Sequence, residues 1–179
     1  MIIVEGPDGS GKTMLLETLM AQYPSIPLHD RASRSGPDGG PVDDLYGWAM
    51  RDIRSWRDDP VQFYDRHPLV SEYIYGPIIR GSVDYRFLNT PYRRFLERRA
   101  LTIVCLPPLE AVRSSVSAER DMLGVVAHID AIWTLYASLS ATWSAGPGLS
   151  LITYDWTTQD PSVLFPHINS HRIHWSVTR

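Results

Sequence analysis

Residues 1–23 read MIIVEGPDGSGKTMLLETLMAQY, and this stretch decides the fold. Residues 1–5 are a short β-branched apolar run that ends at Gly6, the pattern of a buried strand entering a loop. Residues 13–23 place leucine or methionine at 14, 15, 16, 19 and 20, a helical spacing that Pro24 closes. Between them lies GPDGSGKT, residues 6–13: glycine, four residues, glycine, lysine, then serine or threonine. In a strand–loop–helix setting that spacing has a mechanism. Glycines let successive backbone N–H groups turn inward around phosphate oxygens, and the helix N-terminus adds positive potential at the same place. Gly6, Pro7, Asp8, Gly9, Ser10, Gly11, Lys12 and Thr13 are therefore the candidate nucleotide-binding residues. Lys12 would neutralise the β- and γ-phosphates of ATP, and the Thr13 hydroxyl would join a Mg²⁺ shell. Of the 17 basic residues, 16 are arginine and Lys12 is the only lysine. Coding bias is the plainer reading of the excess of arginine, but the exception falls where a compact ammonium is wanted and a planar guanidinium is a poor substitute.

Outward from the loop, strands and helices alternate. Strands are expected at residues 25–30, 61–64, 101–106 and 149–154, and helices at 43–57, 69–80, 91–99, 109–117 and 128–143. Pro27 weakens the second strand. Residues 31–42, RASRSGPDGGPV, are too rich in glycine and proline for anything but a loop. With no internal repeat, this order implies an α/β fold: a single P-loop NTPase domain over residues 1–179, with a parallel five-stranded sheet and helices on both faces.

Composition agrees with one globular domain: 179 residues, 44% hydrophobic and 21% charged. No apolar run approaches the roughly 18–20 residues needed to span a bilayer, so no membrane partner is expected. One cysteine excludes an intrachain disulfide, and Asp8, Lys12 and Glu17 interrupt any secretory leader, so a cytoplasmic protein is expected. A formal charge of −3 leaves room only for a local basic face toward nucleic acid.

The opening IIVEGPDGSGKT resembles that of thymidylate kinases, and a second match lies at residues 65–76, DRHPLVSEYIYG, where Asp65, Arg66, Ser71 and Gly76 fall in register with that family's Asp-Arg-Tyr motif. The loop RSGPDGGPVDDLY sits where the family carries its Arg-Glu-Pro-Gly-Gly loop. The resemblance covers most of residues 1–80. It implies a kinase in which Asp65, ending a short strand, holds Mg²⁺, Arg66 clamps phosphate, and Asp8 contacts the acceptor deoxyribose. A strand-end ion pair is the plainer reading of Asp65 and Arg66, and loop stabilisation that of Asp8.

Three departures bear on the acceptor. The stretch corresponding to the arginine-rich lid, residues 114–125, offers only Arg120, with Arg113 just before it; His67 replaces the motif's tyrosine; and the loop after the second strand lacks the glutamate and proline. An ionised phosphate acceptor needs arginine clamps, whereas an alcohol benefits from a carboxylate base. Asp30, ending the second strand, is the candidate base, or else it caps the following turn. The departures fit the short phage enzymes of this group that phosphorylate 5-hydroxymethyl-deoxyuridine in DNA during thymine hypermodification. That acceptor is expected first and free dTMP or another deoxynucleoside monophosphate second; for a phage-encoded protein the compartment is the host cytoplasm. A base in duplex DNA would have to be flipped out, and Arg93, Arg94, Arg98 and Arg99, with Tyr92 and Phe95 between them, could follow a DNA backbone or simply be a solvated helix face. A nucleotide-binding switch that transfers nothing is the alternative of another class, disfavoured by the lack of an Asn-Lys-x-Asp motif.

Other residues are weighed more briefly. Cys105 is expected in the core, and Trp133, Tyr136 and Trp143 are expected to pack the late helix. Tyr73 and Tyr75 either pack or stack on an acceptor base. Glu5 orients the loop or the metal shell, and the sequence does not separate the two. His167, His171 and His174 share a face only if the C-terminal tail is helical. The adenine pocket is expected in the loop around residues 154–160.

Overall fold

A computed structural model of the protein describes residues 1–29, 43–55, 61–88, 99–116, 124–144 and 150–177. Five parallel strands form one sheet: β1 (Ile2–Glu5), β2 (Leu28–His29), β3 (Phe63–Asp65), β4 (Leu101–Cys105) and β5 (Leu151–Tyr154), in the order β2-β3-β1-β4-β5. The register aligns Val4 with Asp65 and with Ile103, so the carboxyl ends of the three central strands lie together. The chain runs from β1 toward the β2 edge and later crosses to β4 and β5. Ligands of open α/β sheets bind where the strand order reverses in this way.

Side chains alternate across the sheet. Ile2 and Val4 point to one face, where Leu15, Leu16 and Leu19 of α1 (Lys12–Gln22) and Ile168 of the C-terminal helix cover them. Ile3 points to the other, under Ala49, Met50 and Ile53 of α2 (Leu45–Ser55) and Leu69 of α3 (Pro68–Ile79). After a short turn of helix, α4 (Tyr85–Leu88), come α5 (Leu109–Ser115) and α6 (Ile129–Ser144). Val112, Ile132 and Tyr136 of these two pack with Ile74 and Tyr75 of α3 over Val104. By parity Glu5 belongs to this second face, so a carboxylate lies under α3 and α6.

Several expectations are corrected. The second strand is only two residues long: Pro27 cannot donate to a ladder, and the Ile26 amide turns back to the Tyr23 carbonyl instead of pairing. The tail, which the sequence left open, is helical, as a 3₁₀ turn (Pro161–Leu164) followed by α7 (Phe165–Val177). Pro166 does not break α7, because it sits in the first turn, where its missing N–H has no intrahelical partner to lose. His67, with an extended backbone, starts α3 one residue earlier than its apolar spacing implies: the Leu69 amide donates to its ring, and Pro68 takes the first helical position. The helix expected over 91–99 and its arginine cluster fall outside the described residues except for Arg99, which is exposed.

Candidate active site

The candidate phosphate loop joins β1 to α1 and is stiffened by close contacts. Gly6 has a φ of 139°, and a Cβ there would lie 2.3 Å from the Cys105 carbonyl oxygen, so only glycine lets the loop pass over β4. Gly11 caps α1 at φ 83° with no side-chain bond to the first amides. The N–H groups at the helix start are thus not claimed by a cap, as an anion site requires. A Cβ on Gly11 would also meet the Trp156 indole at 2.9 Å; this ring, 44% exposed, stands against the loop from the segment after β5. Trp156 is the landmark of the expected adenine region that spacing alone did not single out.

Lys12 is buried and its ammonium donates to the Pro7 carbonyl. Burial, reinforced by the nearby Arg66 charge, lowers its pKa to about 7 against the pull of Asp8, Cys105 and Glu5. The Ser10 hydroxyl and Arg66 Nε are buried without a hydrogen-bond partner among the described residues. Unpaired donors of this kind beside left-handed glycines fit a phosphate group, whose oxygens would satisfy them.

Opposite the loop, Asp65 ends β3 and is buried, while Thr13 is exposed at the start of α1. Arg66 follows with φ 67°, the only positive φ among described non-glycine residues. Such a conformation costs about 1–3 kcal/mol and persists only where its surroundings hold it. The Arg66 guanidinium donates to the Gly6 carbonyl at 3.1 Å and to Asp8 Oδ1 at 2.9 Å, and lies 4.7 Å from the centre of the Tyr75 ring. Tyr75 donates its hydroxyl to Asp8 Oδ2 at 2.9 Å. Burial alone would raise the Asp8 pKa, but the Arg66 and Lys12 charges and the two hydrogen bonds outweigh it and hold the carboxyl below its ordinary value. Asp8 and Arg66 are therefore an ion pair linking the loop to the end of β3, and Tyr75 is a buried support. Tyr73 bonds the Phe87 carbonyl.

Glu5 is fully buried, and its partners decide its role. Oε1 accepts from the His67 amide at 2.7 Å and Oε2 from the Tyr136 hydroxyl at 2.8 Å, so it orients the turn into α3 and ties in α6. Tyr136 does more than pack. Burial raises the Glu5 pKa, opposed by the His67 amide and by Arg66. Beneath α2, Asp52 gathers His29 Nε2 at 3.0 Å, His67 Nε2 at 3.1 Å and the Tyr64 hydroxyl at 3.3 Å. Burial works against the Asp52 charge, but the hydrogen bonds from His29 and His67 carry its pKa far below the usual 3.8. A depressed aspartate stabilises the fold above its unfolded pKa, and the benefit fades as pH falls below it. Asp52→Asn is thus expected to narrow its stability gap to the wild type below about pH 4, measured by urea unfolding across pH; a gap that widens there contradicts the pairing.

Asp30 and Arg120 lie outside the described residues. Arg113 is paired with Asp130 of α6. The described residues hold no group of three or more His, Cys, Asp or Glu able to bind a metal. No helix among them is long and apolar enough to cross a membrane. Cys105 is buried in the core.

No family model and no curated protein matches the sequence. Solved structures do match, along nearly the whole chain. The YorR protein of Bacillus subtilis, in complex with phosphorylated GDP, is 17% identical at a TM-score of 0.62, over 95% of this chain and 96% of that one. The deoxyadenosine kinase of M. mycoides with bound dATP is 13% identical at 0.60, over 94% and 97%. The same enzyme with dCMP and dCDP gives 12% and 0.58, over 94% and 98%. The chain therefore has the fold of these structures, with five parallel strands and helices on both faces.

Proposed function

We propose that the protein is an ATP-dependent phosphotransferase whose acceptor is an alcohol of a deoxynucleoside. Gly6 to Thr13 hold the donor triphosphate, with Lys12 as its neutralising cation. The Thr13 hydroxyl and Asp65 supply hard oxygen donors for Mg²⁺, which would offset charge on the transferring phosphoryl group. The likeness to a deoxyadenosine kinase and to YorR supports a nucleotide kinase.

The observation that carries the choice of an alcohol is the Asp8–Arg66 pair. A phosphate acceptor brings its own negative charge and needs uncommitted cations. Among the described residues, Arg66 is already neutralised by Asp8, and Arg80, Arg86 and Arg113 are paired with Glu72, Asp84 and Asp130. A neutral alcohol suits this balance, with Asp30 as the proposed base one residue beyond β2. The hydroxymethyl group of 5-hydroxymethyl-deoxyuridine in DNA, expected from the sequence, is one such alcohol. A sugar hydroxyl of a free deoxynucleoside is the other, and the deoxyadenosine kinase likeness favours it.

γ-Labelled ATP offered with free deoxynucleosides, dTMP, or hydroxymethyluracil-containing DNA separates these acceptors. Label is expected in a deoxynucleoside or in the DNA; label confined to dTMP overturns the alcohol reading, and label in no acceptor favours a nucleotide switch. Trp156, standing at the loop, is read as the wall of the donor base. Trp156→Ala is expected to raise KM for ATP about tenfold, since base–aromatic stacking contributes roughly 1–3 kcal/mol. An unchanged KM removes the indole from the donor site.

A further inference from the structure

Arg66 keeps a left-handed backbone that its side chain does not require, so something else must hold it. The amides on both sides of that conformation are fastened to the end of β1: Arg66 N–H to the Val4 carbonyl at 3.0 Å and His67 N–H to Glu5 Oε1 at 2.7 Å. The His67 ring is fastened as well. Its Nδ1 accepts from the Leu69 amide at 3.2 Å, which places the proton on Nε2, and Nε2 then donates to Asp52 at 3.1 Å. His67 has no exposed surface. Asp52 rises from α2, so this bond joins the α2 layer to the residue that follows the arginine clamp.

We propose that His67, gripped on its backbone by Glu5 and on its ring by Asp52, is a positioning residue that fixes the Arg66 backbone and so aims the guanidinium. The proposal rests on the phosphotransfer reading for its kinetic consequences but not for its structural one. Restraint at neighbouring bonds is what lets a non-glycine residue stay at positive φ. Tyr75 and Asp8 set where the guanidinium ends; His67 sets where it starts.

Two variants dissect the grip. An asparagine side-chain oxygen can replace Nδ1 as the α3 cap but cannot reach Asp52, so His67→Asn keeps the cap and breaks the tie to α2. Asp52→Ala breaks the same tie from the other side and serves if the first variant does not fold. Each is expected to lower kcat/KM for the acceptor at least tenfold while KM for ATP changes less than twofold. In an Arg66→Ala background the same change is expected to add less than twofold, because its route to the reaction is gone. Full additivity, or unchanged acceptor kinetics, overturns the proposal. A crystal structure of each folded variant gives the answer without activity. Residue 66 is expected to leave the left-handed region or the guanidinium to leave Asp8; both retained in place overturns the proposal even if the wild type is an active kinase. A wild type that transfers nothing defeats the functional reading and leaves this structural test standing.

Discussion

Lys12→Met is expected to remove phosphate transfer by a factor on the order of a thousand or more while leaving the protein folded. Single pre-organised groups facing developing charge contribute about 10²–10³ in rate, and Lys12 is the only lysine in the chain. No described residue can deliver an equivalent ammonium: Arg66, whose charge acts on Lys12, is committed to Asp8 and the Gly6 carbonyl. Stability should move little or upward. Burial holds the Lys12 pKa near 7, so the fold resists carrying that charge, and methionine fills a similar volume without it. The checks are initial rates at saturating ATP and a thermal melt. Retained turnover would reject the loop as the donor site; a large drop in Tm would recast Lys12 as structural.

Arg66→Ala is expected to damage both activity and stability. Asp8 would keep its charge in a partly buried position, with the Tyr75 hydroxyl and the Lys12 charge left to offset it. Removing one partner of a buried pair costs about 3–5 kcal/mol. Both side chains here are 22% exposed, so a loss on the order of 2–4 kcal/mol in urea unfolding is expected. Transfer should fall by about 10²–10³ in kcat/KM. Stability alone lost, with rates intact, would make Asp8 and Arg66 the ordinary strand-end ion pair that the sequence also allowed.

The parts legible in the sequence were those whose information is local. Apolar runs at residues 1–5 and 101–106, stopped by glycine and by Pro107, announce central strands because strands buried on both faces are continuously apolar. The spacing of Gly6, Gly11, Lys12 and Thr13 announces a glycine loop between strand and helix, because backbone geometry demands it there. The two-residue strand Leu28–His29 carries too little pattern to bound, and α7 hides behind Pro166 with Leu164 and Ile168 alone fully buried near its start. The support of the site was not legible, since its members are far apart in sequence. Glu5 meets residues 62 and 131 positions away, and Asp52 reaches His67 across 15. Strand parity sends Glu5 to the α3 and α6 face, but only the packing of those helices shows what waits there. The left-handed backbone of Arg66 has no sequence signal either, as it is imposed by its neighbours.

The central claim is that the γ-phosphoryl group of ATP moves to an alcohol beside Asp8 and Arg66. Phosphorus NMR of the wild-type reaction with ATP, Mg²⁺ and the labelled acceptor tests it most directly, since the bond formed fixes the chemistry. A growing phosphomonoester resonance without phosphorus–phosphorus coupling, matched by ADP, is the predicted result. A coupled diphosphate resonance on the acceptor, or ATP that persists unchanged, would contradict it.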